Sequence, residues 1–162
     1  MKEMEVRLAR LETMRAACTH ALSDTPEEDA GRRIREWAKS NDSTKEGTGA
    51  RLFGRNTYPT DKPQPHGYEY HLTIGPNVKP EGNIETSEIP GGLYAVLRFK
   101  NLNRIGEAWE EMWKWIKSSG HEHVGLTKGD HGWVNGYEEH LNWYEDKPPT
   151  EWIFNLWVQL KE

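Results

Sequence analysis

The order of structural elements is written twice along this chain. In the first half, MEVRLARL (4–11) alternates Val6 and Leu8 with polar neighbours and predicts an opening strand. MRAACTHAL (14–22) predicts a second strand or its continuation. TPEEDAGRRIREWAKSN predicts a helix, with Thr25 as N-cap, Pro26 at the first helical position and Glu28 completing a capping box. Ala30, Ile34, Trp37 and Ala38 fall on one face of it. RLFGRNTY (51–58) and HGYEYHLTIG (66–75) predict two more strands, set apart by the polar loop 41–49 and a Pro-broken turn at 59–65. In the second half, GGLYAVLRFK (91–100) predicts a strand. NRIGEAWEEMWKWIKSSG predicts a helix carrying Ile105, Ala108, Trp109, Met112 and Ile116 at helical spacing, with Gly120 as its C-terminal cap. TEWIFNLWVQLKE (150–162) closes the chain as a strand. Residues 75–91, rich in Gly and Pro, serve as the crossover, and the segment from His121 to Pro149 is ambiguous.

One constant shift places Trp37 on Trp115, Ala17 on Ala95, Lys39 on Lys117 and Ser40 on Ser118. We read this as an internal duplication with a period of about 80 residues. The repeats run over 4–76 and 85–162 of a single domain, 1–162. Strands and helices in this order predict an α+β fold in which each helix covers one face of an antiparallel sheet.

Strand parity then sorts side chains between the two faces. If Tyr70, Leu72 and Ile74 face the helices, then Glu69, His71 and Thr73 face away. On the last strand Phe154, Leu156, Val158 and Leu160 face the helices, and Asn155, Trp157 and Gln159 share the reverse face. Trp157 in a polar row fits a cleft between the halves better than a plain solvent face. Glu69 with His71 is open to two readings: a solvated strand face, or a pocket carboxylate walled by aromatics, able to act as a base or pair with a cation.

Composition narrows the classes. A net charge of −5 argues against non-specific DNA binding, which needs a basic surface. No apolar run approaches the roughly 20 residues that span a bilayer, and the charged N-terminus does not resemble a signal peptide. A cytoplasmic location fits. The single cysteine, Cys18, cannot form an internal disulfide or a cysteine-based zinc site. No base is identifiable beside it, and it reads as a buried small residue. GYEEHLNWYED (136–146) holds Glu138, Glu139 and His140 without HExxH or a similar metal spacing, and by spacing alone reads as an exposed helical turn. HEH at 121–123 reads as a loop. No metal and no cofactor are expected. The 8 tryptophans supply flat faces for stacking or cations, though each taken alone is first a core residue; Trp109 reads as core and Trp113 as flanking it.

IPGGLYAVLRFKNLNRIGEAWEEMWKWIKSSGHE (89–122) resembles the second-half signature of the GyrI-like small-molecule-binding domain, a family that includes the effector-binding domains of multidrug-responsive regulators. HGYEYHLTIG resembles the matching first-half strand, and GYEEHLN a segment found shortly before the final strand. The likeness runs from about Met4 to Leu160. It implies duplicated β-α-β-β units with pseudo-two-fold symmetry, helices on one face of the sheet and a ligand cleft on the other. It implies a hydrophobic, aromatic and often cationic small-molecule ligand in a Trp/Tyr-lined cleft with a Glu. Many such members carry a buried Glu in the last strand, where this chain has Asn155, while Glu69 matches an acidic position of GYE-type members. Some stand-alone members are similar to hydrolases that open the cyclopropane of DNA-alkylating natural products, and others to gyrase-inhibitor-like or protective proteins. For the hydrolase the resemblance implies Glu69 on the water, Glu139 or His140 as acid or second base, and Tyr94 as donor to the carbonyl oxygen. Tyr70, His71, Trp109, Trp113, Asn155 and Trp157 would hold the ligand. A small-molecule partner, no direct nucleic-acid or membrane contact, and a monomer or weak dimer complete the expectation.

Overall fold

The computed structural model describes residues 2–41, 49–60 and 65–162. Most of the expected polar loop (42–48) and Pro-broken turn (61–64) lie outside the described residues. Ten strands and two α-helices form: β1 (Val6–Leu11), β2 (Met14–Ala21), α1 (Pro26–Ser40), β3 (Leu52–Thr57), β4 (Gly67–Thr73), β5 (Glu85–Ile89), β6 (Gly92–Lys100), α2 (Ile105–Ser119), β7 (Thr127–Gly129), β8 (Gly132–Val134), β9 (Tyr137–His140) and β10 (Ile153–Gln159). Eight strands make one antiparallel sheet in the order β1-β6-β10-β9-β3-β4-β2-β5, and β7 and β8 pair separately.

The strand order is its own mirror about the β9–β3 seam. β2, α1, β3 and β4 form one unit, and β6, α2, β9 and β10 the other. Each unit's leading strand pairs with the partner unit: β1 with β6, and β5 with β2. The registers agree residue by residue. Ala17 lies opposite Leu72 as Ala95 lies opposite Val158. Tyr70 lies opposite Gly54 as Leu156 lies opposite Glu138, and Gly54 and Glu138 are themselves paired across the seam. A pseudo-two-fold axis therefore passes between them. It equates Glu69 with Asn155, His71 with Trp157, Arg55 with Glu139, and Cys18 with Val96. The acid that the last strand lacks at Asn155 is present at the symmetry-related place in β4.

The helices cover one face. α1 packs Ile34 and Ala38 on Ala17, Leu52 and Leu72. α2 packs Ala108, Met112 and Ile116 on Leu97, Phe99, Leu156 and Val158. Among the described residues no helix covers the reverse face, yet Phe53, Tyr94, Val96, Tyr137 and Trp157 there are buried in a third cluster. The sheet thus curls over its own reverse side. That curl, rather than a flat wet face, is what buries Glu69.

Four local expectations need correction. The crossover contains β5, a short, mostly exposed edge strand with little alternation to betray it. The segment read as a helical turn is β9, a central strand. Its faces both carry polar side chains, so the usual apolar alternation is missing. The closing strand begins at Ile153, after a 3₁₀ turn over Pro149–Glu151. Thr25 makes no side-chain cap bond; the start of α1 instead carries Pro26 and three acids, Glu27, Glu28 and Asp29, which suit the helix dipole. Gly120 does end α2 in the left-handed conformation (φ 81°). No described helix is long and apolar enough to cross a membrane.

Candidate functional site

The residues named from sequence divide between the two faces. Glu69, His71, Tyr94, Glu139, Asn155 and Trp157 lie on the reverse face, and Tyr70, Trp109, Trp113 and His140 on the helix side. Glu139 and His140 are neighbours in β9, so parity sends them to opposite faces.

On the reverse face both carboxylates are already matched. Arg55 Nε donates to Glu69 Oε1 at 2.5 Å, and His131 Nδ1 lies 3.1 Å from Oε2. His71 Nε2 lies 2.9 Å from Oε1, and its Nδ1 lies 2.8 Å from Ser87 Oγ. Burial pushes the Glu69 carboxyl up, but the hydrogen bond and charge of His71, followed by Arg55, outweigh it and bring the pKa down to about 2. Burial holds His71 below the ordinary histidine range. His71 donates through Nε2 to a carboxylate that can only accept. Glu139 takes a bidentate pair from Arg51 (2.7 and 2.9 Å) and a third bond from Trp157 Nε1 (2.9 Å). Asn155 accepts from Arg98 Nε at 3.0 Å. Tyr94 gives its hydroxyl proton to the Pro90 carbonyl at 2.7 Å. These bonds give each reverse-face acid an arginine partner, beside hollows of about 170 Å³ at Glu69 and about 450 Å³ lined in part by Arg51, Arg98, Glu139 and Asn155.

The helix side differs. At the seam Glu138 points between the two helical units. Tyr68 donates to its Oε1 at 2.7 Å and the indole of Trp109 to its Oε2 at 2.8 Å. Both donors are neutral, and no ion pair reaches Glu138 among the described residues. Burial raises its pKa, partly offset by Trp109 and Tyr68. Beside it a hollow of about 260 Å³ is lined by Asn56, Tyr58, Trp109, Trp113, Leu126 and Asn135. Trp109 and Trp113 stack at 5.8 Å with planes 18° apart. Glu138 is close enough to Tyr58 to help burial raise the phenol's pKa. The hollow therefore offers flat aromatic surface, and Trp109 in its wall bonds the Glu138 carboxylate, which lies behind that wall and lacks a cation among the described residues. His140 lies further along β9, stacked on Phe154 at 5.0 Å, and Tyr70 packs against the α1 unit.

Sequence reasoning weighed Glu138 with Glu139 and His140 but left it out of the expected site, and it did not single out Tyr68, Tyr58, Arg51 or Arg55. The signal was present for Glu138: read as a strand, YEEH sends its two acids to opposite faces.

The sequence model of the GyrI-like small molecule binding domain family matches residues 4–161. No curated protein matches the chain. Among solved structures, the C-terminal domain of EcmrR superposes with a TM-score of 0.72 at 14% identity, covering 98% of each chain. In an EcmrR–DNA complex the chain spans only 57% of EcmrR. SAV2435 bound to tetraphenylphosphonium gives a TM-score of 0.56 at 12% identity, over 98% of this chain and 94% of that one. A hydrolase from Listeria innocua gives 0.63 at 9% identity, over 99% and 94%. At these identities the likeness is one of fold.

Proposed function

The chain belongs to the GyrI-like family of small-molecule-binding domains, and we propose that its ligand is a flat aromatic cation held on the helix side of the seam. Trp109 and Trp113 supply the stacking surface and Glu138 the countercharge. The observation that carries this reading is the contrast between acids: Glu69 and Glu139 are each paired with an arginine, while Glu138 is bound by neutral donors alone. A cation entering beside Glu138 gains a partner without displacing one. On the reverse face it would first have to break Arg55 from Glu69, leaving a buried charge unpaired. SAV2435, which shares the fold, binds tetraphenylphosphonium, a cation wrapped in aromatic rings. The test is a calorimetric and tryptophan-fluorescence titration with tetraphenylphosphonium. Saturable one-to-one binding with an altered indole signal is expected; absence of binding both by this propeller-shaped cation and by planar aromatic cations would overturn the reading.

A second reading, ring-opening hydrolysis of a cyclopropane fused to a dienone, is favoured by the same acid. Ionised Glu138 takes a proton from water as the oxygen bonds carbon; the ring C–C bond breaks, its electron pair forms a phenolate, and protonated Glu138 returns its proton to that oxygen through the Tyr68 hydroxyl, which gives one proton and receives another. A fold neighbour is a hydrolase. Tyr94, the donor implied by the resemblance, is committed to Pro90. Incubation with a cyclopropane-bearing compound decides it: hydrated, ring-opened product supports turnover, and stoichiometric binding without product supports capture.

A further inference from the structure

We propose that the reverse-face hollow at the β2–β4–β5 corner is a site for a divalent transition metal of the zinc class, ligated by Cys18, Glu69 and His131. This is independent of the ligand reading above, because it lies on the other face of the sheet. The Cys18 thiol, a Glu69 carboxylate oxygen and a His131 ring nitrogen all lie within 4.8 Å of one another. Donors bound to zinc at about 2.0–2.3 Å stand about 3.3–3.8 Å apart in a tetrahedral shell. The three therefore need only small side-chain adjustments to close on one ion. The hollow they line has a volume of about 170 Å³.

The sequence alone predicts no metal and no cysteine-based zinc site, because only one donor is a cysteine and the three come from separate parts of the fold. Cys18 is in β2, Glu69 in β4, and His131 in the turn between β7 and β8. A thiolate, an imidazole and a carboxylate together suit a borderline-soft ion and suit calcium or magnesium poorly. The surroundings fit as well. Arg55 and His71 hold Oε1 of Glu69, which leaves Oε2, the oxygen facing His131, for the ion. His131 Nε2 lies 3.4 Å from Glu85 Oε1, the carboxylate–histidine arrangement that orients an imidazole ligand and fixes its tautomer. His20 stacks on the His131 ring at 4.3 Å with planes 6° apart, holding it in place. Glu69, Glu85, Glu88 and Asp130 line the hollow against Arg55, so its wall favours a cation.

Two buried groups support the assignment. Cys18, 3% exposed, makes only two weak sulfur contacts, each at 3.9 Å, to Thr19 O and His71 Nε2. The Tyr137 hydroxyl is buried without a hydrogen-bond partner; burial raises its pKa, Arg55 opposes that, and Glu69 and Cys18 are near enough to add to the rise. It is a ready donor for a water or small ligand in the fourth position.

Binding is balanced by proton release. The thiol S–H is exchanged for an S–metal bond, and the proton leaves to solvent. His131 gives the Nδ1 lone pair to the ion and directs its Nε2–H at Glu85. A thiolate and a carboxylate then neutralise the divalent charge.

Titration of chelator-treated protein with Co²⁺, followed by absorption, tests the site. The expected result is a near-ultraviolet thiolate-to-cobalt band with tetrahedral visible bands, displaced by Zn²⁺, and one proton released per ion. Cys18→Val should lose the near-ultraviolet band while keeping the fold, since Val96 fills the symmetry-related place. His131→Ala, in an external turn, should weaken affinity at least tenfold, and Glu85→Gln roughly tenfold. Circular dichroism checks that each variant is folded. A wild-type protein without the thiolate band, or metal affinity that survives both Cys18→Val and His131→Ala, overturns the proposal.

Discussion

Gly54 lies directly opposite Glu138 across the seam, and its missing side chain is what lets Tyr68 reach that acid. A Cβ on Gly54 would meet the Tyr68 ring at 2.6 Å and, closer still, its hydroxyl oxygen. Gly54→Ala must push Tyr68 away from Glu138. The expected result is a loss of about 1–3 kcal/mol in stability from overpacking, with weaker binding of aromatic cations. Urea denaturation and a ligand titration on the same preparation check both.

Arg55 is the counterion that makes a buried Glu69 tolerable. Arg55→Met should destabilise the fold by roughly 3 kcal/mol at neutral pH, because the buried carboxylate loses its arginine and keeps only the histidines His71 and His131. Adding Glu69→Gln should restore most of that loss, since the pair is then gone rather than broken. Chemical denaturation of the two single variants and the double variant gives the cycle.

Stability should fall in acid in two stages. His140 is lowered to about 4 by burial and then by Arg35. The unfolded chain, with an ordinary histidine near 6.5, therefore binds more protons than the fold between those values. This contribution is fully present above about pH 6.5 and is lost as pH falls towards 4, to the extent of about 3 kcal/mol. Glu69, held down to about 2, contributes stability above its ordinary range that is lost as pH falls from there towards 2. His140→Phe keeps the stack on Phe154 and should flatten the upper stage alone, as read from denaturation midpoints at a series of pH values.

Much of the fold could be read from residue patterns, because burial on one face leaves a periodic trace. The apolar row Leu72 and Ile74, the row Leu156 and Val158, and the stripe of α2 with Gly120 behind it all do so. Parity also placed Glu69 and His71 together on the face away from the helices. β9 was hidden because a seam strand with polar partners on both faces has no apolar alternation to show. The partners of Glu69 were hidden for another reason. Arg55 is a cross-strand neighbour, but His131 arrives from a turn far along the chain, and only the curl of the sheet brings it there. Trp109 shows the same limit: its spacing marks it as core, and nothing in the spacing says that its N–H faces an acid.

The central claim is that the ligand's positive charge is met by Glu138 on the helix side. The most direct measurement is the affinity of tetraphenylphosphonium for wild type, Glu138→Gln and Glu69→Gln, each confirmed folded by thermal denaturation. The account predicts at least a tenfold loss in Glu138→Gln and an affinity within about twofold of wild type in Glu69→Gln, tenfold being about 1.4 kcal/mol. Unchanged affinity in Glu138→Gln, with loss in folded Glu69→Gln, would contradict it and move the site to the reverse face.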